Sequence, residues 1–125
     1  MQKQILILAS INGFLVVAIG AFGAHGLESI LDAAALDTYE TGVEYHMFHT
    51  LALFGCGLLA GNHQNNKQIK YAARLFLLGI IFFAGSLYLL SVTGVGWLGA
   101  ITPIGGLGFL GGWSCLAWFA ASNAN

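Results

Sequence analysis

The sequence predicts an all-α fold, a single polytopic membrane domain over residues 1–125 built as a bundle of four transmembrane helices with both termini cytoplasmic. Three observations predict it. Hydrophobic residues make up 58% of the chain and charged residues 7%, with a mean hydropathy of +0.80, too little polar surface to cover a water-soluble domain of this size. Apolar windows at residues 5–24, 43–61, 72–93 and 103–121 each approach the ~20 residues that cross a hydrocarbon core. The charges are also sorted by connection. Lys3 precedes the first window and Lys67, Lys70 and Arg74 fall around the second-to-third connection, whereas the first-to-second connection holds Glu28, Asp32, Asp37 and Glu40 and no base. Positive charge marks the cytoplasmic side, so normal alternation of the spans puts both basic groups inside.

The first window ends in small residues, Ala21-Phe22-Gly23-Ala24, a pattern also seen near signal cleavage sites; we expect it to be kept as a span. The second is preceded by Asp37-x-x-Glu40, close to a capping box, which predicts a helix start there. The third carries Ser86 and Thr93 on one face, and Trp97 follows in the short outer connection, where an interfacial aromatic belongs. The fourth opens on Thr102-Pro103, with Thr as expected N-cap and Pro at the first helical position, where its missing N–H costs nothing. Without a hydrophobic driving force in lipid, close backbone approach becomes a main source of helix association. Two strips supply it, Gly57 with Gly61 in the second window and Gly105, Gly108 and Gly112 in the fourth. Packing within one bundle is the expected use, and a homo-oligomer seam the alternative. Cys56 and Cys115 lie inside windows without metal-ligand or redox spacing and read as packing residues.

Any chemistry belongs to the second window, Glu40-Thr-Gly-Val-Glu44-Tyr45-His46-Met-Phe-His49. At about 100° per residue, with Glu40 at 0°, Glu44 falls near 40°, Tyr45 near 140°, His49 near 180° and His46 near 240°. Acids and histidines therefore face apart, and one helix alone cannot supply the Glu-x-x-His pair of a di-iron bundle. His49 shares its face with Gly42, Tyr45, Ala52 and Cys56, the side expected to turn inward. An ionisable group inside a span is a functional candidate by default. With His25 at the end of the first span, Ser86 and Thr93 from the third and Thr102 near the same level, a small polar cavity in the outer half of the bundle is expected, flanked by Glu40, Glu44 and Tyr45.

The residues also carry a resemblance. Gly20-Ala-Phe-Gly-Ala-His-Gly-Leu27, Tyr39-Glu-Thr-Gly-Val-Glu-Tyr-His-Met-Phe-His-Thr-Leu-Ala-Leu53, Gly85-Ser-Leu-Tyr-Leu-Leu90 and Thr93-Gly-Val-Gly-Trp-Leu-Gly-Ala-Ile-Thr-Pro-Ile-Gly-Gly-Leu107 resemble the YgdD/YwdK family of small bacterial membrane proteins, a domain of unknown function related to a mitochondrial transmembrane protein. The resemblance spans nearly the whole chain. It implies a four-span, multi-pass protein of the bacterial inner membrane, and its motifs fall on His25, Glu40, His49, Ser86, Thr102 and Pro103. At His46 the family pattern more usually has an amide, which weakens any metal scheme that needs His46.

No complete catalytic or cofactor motif occurs, so no catalytic residue is assigned and neither metal nor cofactor is specified. Four basic residues and a net charge of −1 give no phosphate-tracking surface for nucleic acid. Two expectations from different classes follow. One is a non-enzymatic membrane component acting through lipid or protein partners; the other is binding or transport of a small species, proton, metal ion or apolar cofactor, at the cavity containing His25 and His49.

Overall fold

A computed structural model of the chain describes residues 1–123 and is all-α there, with no strand among the described residues. Helix α1, Gln2–Phe22, is almost wholly apolar and runs straight into one π-helical turn, Gly23–Leu27. A short turn closed by Leu31 N–H donating to the Leu27 carbonyl (2.9 Å) leads to α2, Ala33–Asn62. Helix α3, Lys67–Gly79, continues through a second π turn, Ile80–Ala84, into α4, Gly85–Thr93. Gly94, at φ 70°, ends that rod in the left-handed conformation that glycine adopts without a Cβ penalty. A 3₁₀ turn, Gly96–Ala100, then feeds α5, Thr102–Ser122.

Local signals explain the helix starts, and two differ from the sequence expectation. The Asp32 carboxylate caps α2, accepting from the Ala35 N–H at 2.7 Å, so α2 begins ten residues before the apolar window and Asp37 and Glu40 lie inside the helix instead of forming a capping box. Asp32 wins because it sits at an extended backbone, φ −69° and ψ 171°, where a cap must be. Asn66 does the same for α3, accepting from the Ile69 N–H at 3.0 Å. Thr102 is not an N-cap. Pro103 does open α5, but the Thr102 hydroxyl turns sideways to Ser86, 2.6 Å away.

Helix α2 is central. Its most extensive partner is α1 on one side, with α3 and α4 on the other, and α5 packs chiefly against α3 and the second π turn. The order α1, α2, α3–α4, α5 makes a staggered row, with grooves left between α2 and α5 and between α1 and α3. Along α1 and α2 the antiparallel pairing is unbroken. Gly61 faces Gln2, Gly57 faces Leu6, Gly13 faces Thr50 and Gly20 faces Val43. Gly105, Gly108 and Gly112 of α5 meet Phe83, the Leu75 carbonyl and the Phe76 ring, so both glycine strips lie against helices of the same chain. The inward stripe of α2, Tyr39, Gly42, His46, His49, Leu53, Cys56 and Ala60, repeats at alternating three- and four-residue steps. It takes in both His46 and His49, and leaves Tyr45 exposed at its edge.

Among the described residues, three rods are long and apolar enough to cross a membrane by length and composition: Gln2–Leu27, Lys67–Thr93 and Gly96–Ser122. Helix α2, at 30 residues, has the length but not the composition, since Glu40, Glu44, His46 and His49 lower it. The outer faces of the rods are strongly apolar. Phe14, Val17, Leu51, Leu107 and Leu110 are each 66–76% exposed, an outer surface suited to lipid.

Candidate functional site

Two histidines one turn apart on α2 organise the polar interior, and each is fixed in a different tautomer. The His49 Nδ1–H donates to the Tyr45 carbonyl at 2.8 Å, and the Trp113 Nε1–H of α5 donates to His49 Nε2 at 3.1 Å. A carbonyl only accepts and an indole only donates, so the network assigns neutral His49 with its proton on Nδ1. The ring stacks on Phe109, centroids 3.5 Å apart and planes 9° from parallel. His46 is arranged the other way round. Its Nε2–H donates to Asn12 Oδ1 at 3.0 Å, Asn12 Nδ2 donates to the Leu8 carbonyl at 2.9 Å, and the Tyr88 hydroxyl donates to His46 Nδ1 at 2.9 Å. One imidazole thereby joins α1, α2 and α4.

A third joint closes the α4–α5 corner. Ser86 Oγ donates to the Phe83 carbonyl of the π turn at 2.9 Å, and since a hydroxyl has one proton, Thr102 must donate to Ser86. Nearby, the Tyr39 hydroxyl donates to the Ile19 carbonyl just before the first π turn, where Gly23 gives the Tyr39 ring room. Among the described residues no buried side-chain nitrogen or oxygen lacks a partner. In lipid that completeness carries weight, because an unpaired polar group has no water to fall back on.

The expected single cavity is thus resolved into separate joints. Ser86 meets Thr102, and His49 meets Trp113, but His25 is exposed in the first π turn and Thr93 is exposed at the end of α4 with its hydroxyl on the Leu89 carbonyl. Glu40 and Glu44 face outward. Among the described residues no three His, Cys, Asp or Glu side chains gather closely enough to hold a metal ion. Asn12, Tyr88 and Trp113 are the residues that sequence reasoning passed over, and His46 was weighed only as a metal ligand. The available signal was that Asn12 is the one amide in the first apolar window, and an amide there needs a partner from another helix.

What the joints leave open is a lateral groove of about 700 Å³ between α2 and α5. Phe48, Phe83, Leu107, Leu110 and Trp113 supply its walls, Gly106 a flat stretch of floor, and Glu44 and Tyr45 polar groups beside it. His49 contributes an aromatic edge and no free nitrogen.

The family model described as "Protein of unknown function (DUF423)" matches residues 19–106. The chain is 47% identical to the UPF0382 membrane protein YwdK of Bacillus subtilis over 112 residues, covering 90% of this chain and 91% of the relative. It is 45% identical to a UPF0382 membrane protein of Haemophilus influenzae over 118 residues, 94% of each chain, and 43% identical to the UPF0382 inner membrane protein YgdD of Escherichia coli over 117 residues, 92% of this chain and 87% of the relative. No solved structure matches. With its apolar rods and outward apolar surface, the chain is an integral membrane protein and belongs to the DUF423 (UPF0382) family.

Proposed function

We propose that this protein is a four-span inner-membrane component with both termini cytoplasmic, and that it acts without catalysis by holding a lipid acyl chain in the groove between α2 and α5. The fourth span is α2. It runs antiparallel to α1 from Gly61 at Gln2 to Val43 at Gly20, so it crosses whatever depth α1 crosses. Counting it also brings Lys3 and the Lys67–Arg74 group to one side, as the positive-inside rule requires. A reporter fused in the turn at residues 28–32 should be external and one at the C-terminus cytoplasmic; the reverse pattern, or both on one side, overturns the topology.

The observation that carries the groove is its shape and lining. It is open sideways between two helices, apolar for most of its length, and its one histidine already uses both nitrogens. His49 and Phe109 are stacked in contact, which leaves no slot for a planar ring to intercalate there, whereas a flexible chain fits along Leu107, Leu110 and Phe48. The test uses Gly106, where an added Cβ would be 3.9 Å from its nearest neighbour, Phe83 Cδ2. Gly106→Leu fills the groove without pressing on backbone. In a Trp97→Phe/Trp118→Phe background, brominated acyl chains should quench Trp113 strongly, and Gly106→Leu should remove most of that quenching. Equal quenching in both refutes chain binding in the groove.

One observation favours a second reading, proton or small-solute handling: the buried sequence Tyr88, His46, Asn12 links three helices through hydrogen bonds. Protein reconstituted in vesicles would then conduct protons, and His46→Gln would abolish the flux. A silent wild-type protein removes this reading.

A further inference from the structure

The groove on the other side of the molecule, between α1 and α3, has a different chemistry. It has a volume of about 310 Å³ and runs down Ile5, Leu8, Leu53 and Leu77, while Lys70 and Arg74 line it from α3. These cations are four residues apart, so they stand one above the other on a single helix face. Gln4 from α1 and Asn65 from the α2–α3 turn line it too, adding neutral hydrogen-bonding groups. Asn65 is held at φ 64°, the left-handed conformation asparagine tolerates, and this tight turn brings its side chain over the groove.

No carboxylate side chain is available to neutralise these cations. All five acids, Glu28, Asp32, Asp37, Glu40 and Glu44, lie between residues 28 and 44. Glu44 and the end of α2 at Asn62 are separated by 18 residues, about 27 Å along the helix. An apolar cleft with two stacked cations and two amides at one end matches an amphipath that has an anionic head and hydrocarbon chains.

We propose that this cleft is a binding site for an anionic phospholipid, its phosphate held by Lys70 and Arg74 with Gln4 and Asn65 in support, and an acyl chain lying along Leu8, Leu53 and Leu77. The guanidinium of Arg74 offers a planar pair of donors to phosphate oxygens and the Lys70 ammonium a mobile point charge. The site is independent of the α2–α5 groove, and neither needs the other to be occupied.

The test is titration of the full chain in neutral detergent with phosphatidylglycerol and with phosphatidylcholine, bound lipid being counted by native mass spectrometry. Wild type should prefer phosphatidylglycerol, and Lys70→Gln/Arg74→Gln should weaken that binding on the order of 30-fold with little change for phosphatidylcholine. The control is Lys3→Gln/Lys67→Gln, which removes the same charge from residues outside this cleft and should keep most of the preference. All four positions are exposed or half-exposed, so helix content and melting temperature in detergent should match wild type. Leu8→Trp keeps both cations while filling the cleft and should also weaken phosphatidylglycerol binding. Equal loss in the control pair would mean diffuse surface attraction and overturn the site. So would retained preference in Lys70→Gln/Arg74→Gln, undiminished binding in Leu8→Trp, or inorganic phosphate displacing the lipid at comparable concentration, which would make free phosphate the ligand.

Discussion

Adjacent glycines on α5 should respond in opposite directions to the same one-carbon change. At Gly105 an added Cβ would press first on the backbone nitrogen of Phe83, in the π turn, and lie 2.7 Å from both its Cα and its Cβ. Phe83 backbone cannot rotate away as a side-chain tip could, so α5 must retreat by about 1 Å to restore the 3.5–4.0 Å of normal carbon contact. Overpacking of this kind costs ~1–3 kcal/mol. The same movement stretches the 2.6 Å bond between Thr102 and Ser86, one turn away. Against that, replacing Gly by Ala inside a helix gains up to about 1 kcal/mol, leaving Gly105→Ala destabilised by up to about 2 kcal/mol. Gly106 has only Phe83 Cδ2 at 3.9 Å, so Gly106→Ala keeps the propensity gain and should be neutral or stabilised by up to about 1 kcal/mol. Unfolding in mixed micelles at increasing dodecyl sulfate, followed by far-ultraviolet circular dichroism, measures both. If the two variants unfold at the same midpoint, or Gly106→Ala is the less stable, the α4–α5 contact does not have the geometry described.

The polar joints give three more expectations. Asn12→Leu and His46→Leu, combined in a double-mutant cycle by the same assay, should show a coupling of about 0.6 kcal/mol and no more than about 1.7, and additivity would mean that the Asn12–His46 bond contributes nothing. Trp113→Phe keeps the ring but strips His49 Nε2 of its donor, a loss of ~1–3 kcal/mol; an unchanged midpoint would show that water or lipid replaces the indole. Thr102→Val and Ser86→Ala each remove the same hydroxyl pair, so the double variant should be little worse than the more damaging single one, and full additivity of the two losses would refute their pairing.

How far the sequence disclosed this arrangement depends on whether a signal was local. The apolar windows located the α1, α3–α4 and α5 rods to within a few residues because hydrophobicity needs no partner to be seen. Boundaries set by caps were less legible. Asp32 and Asp37 both precede helical sequence, and only the extended backbone at Asp32, fixed by the turn closing on Leu27, decides between them. The candidate site was half legible. Ser86 and Thr102 were both named, yet their bond to one another depends on the π turn at Ile80–Ala84, which no composition rule marks. His46 was discounted as a metal ligand because the family pattern more usually has an amide there, and angles measured on an isolated helix do not say how wide its buried stripe is. That width follows from α1 and α4 closing on either side of α2, through Asn12 and Tyr88.

The polarity of α2 is what keeps it off a hydropathy count of spans and also what places it at the centre of the fold. A hydropathy scale charges every imidazole and hydroxyl as if it faced hydrocarbon, but His46, His49 and Thr50 are each less than 7% exposed and each is hydrogen-bonded. Their desolvation is met by Asn12, Tyr88, Trp113 and backbone carbonyls, whereas the residues α2 turns outward at that depth are Met47, Phe48, Leu51, Phe54 and Leu58. Glu40 and Glu44 remain exposed; with α2 as the proposed fourth span, a helix of ~45 Å exceeds the ~30 Å hydrocarbon layer by ~15 Å, so Glu40, ~10 Å from the Asp32 end, falls outside that layer and Glu44, ~16 Å from it, at its edge. If α2 is the fourth span, as proposed, it is stable across a bilayer only with its neighbours in place. The expected order of assembly is therefore α1, α3–α4 and α5 inserting on their own hydrophobicity, with α2 held by them. Tested alone as a peptide in vesicles, residues 33–62 should stay at the surface, while residues 2–27 should span; a lone α2 that inserts as readily as α1 would show that its polar stripe needs no partners.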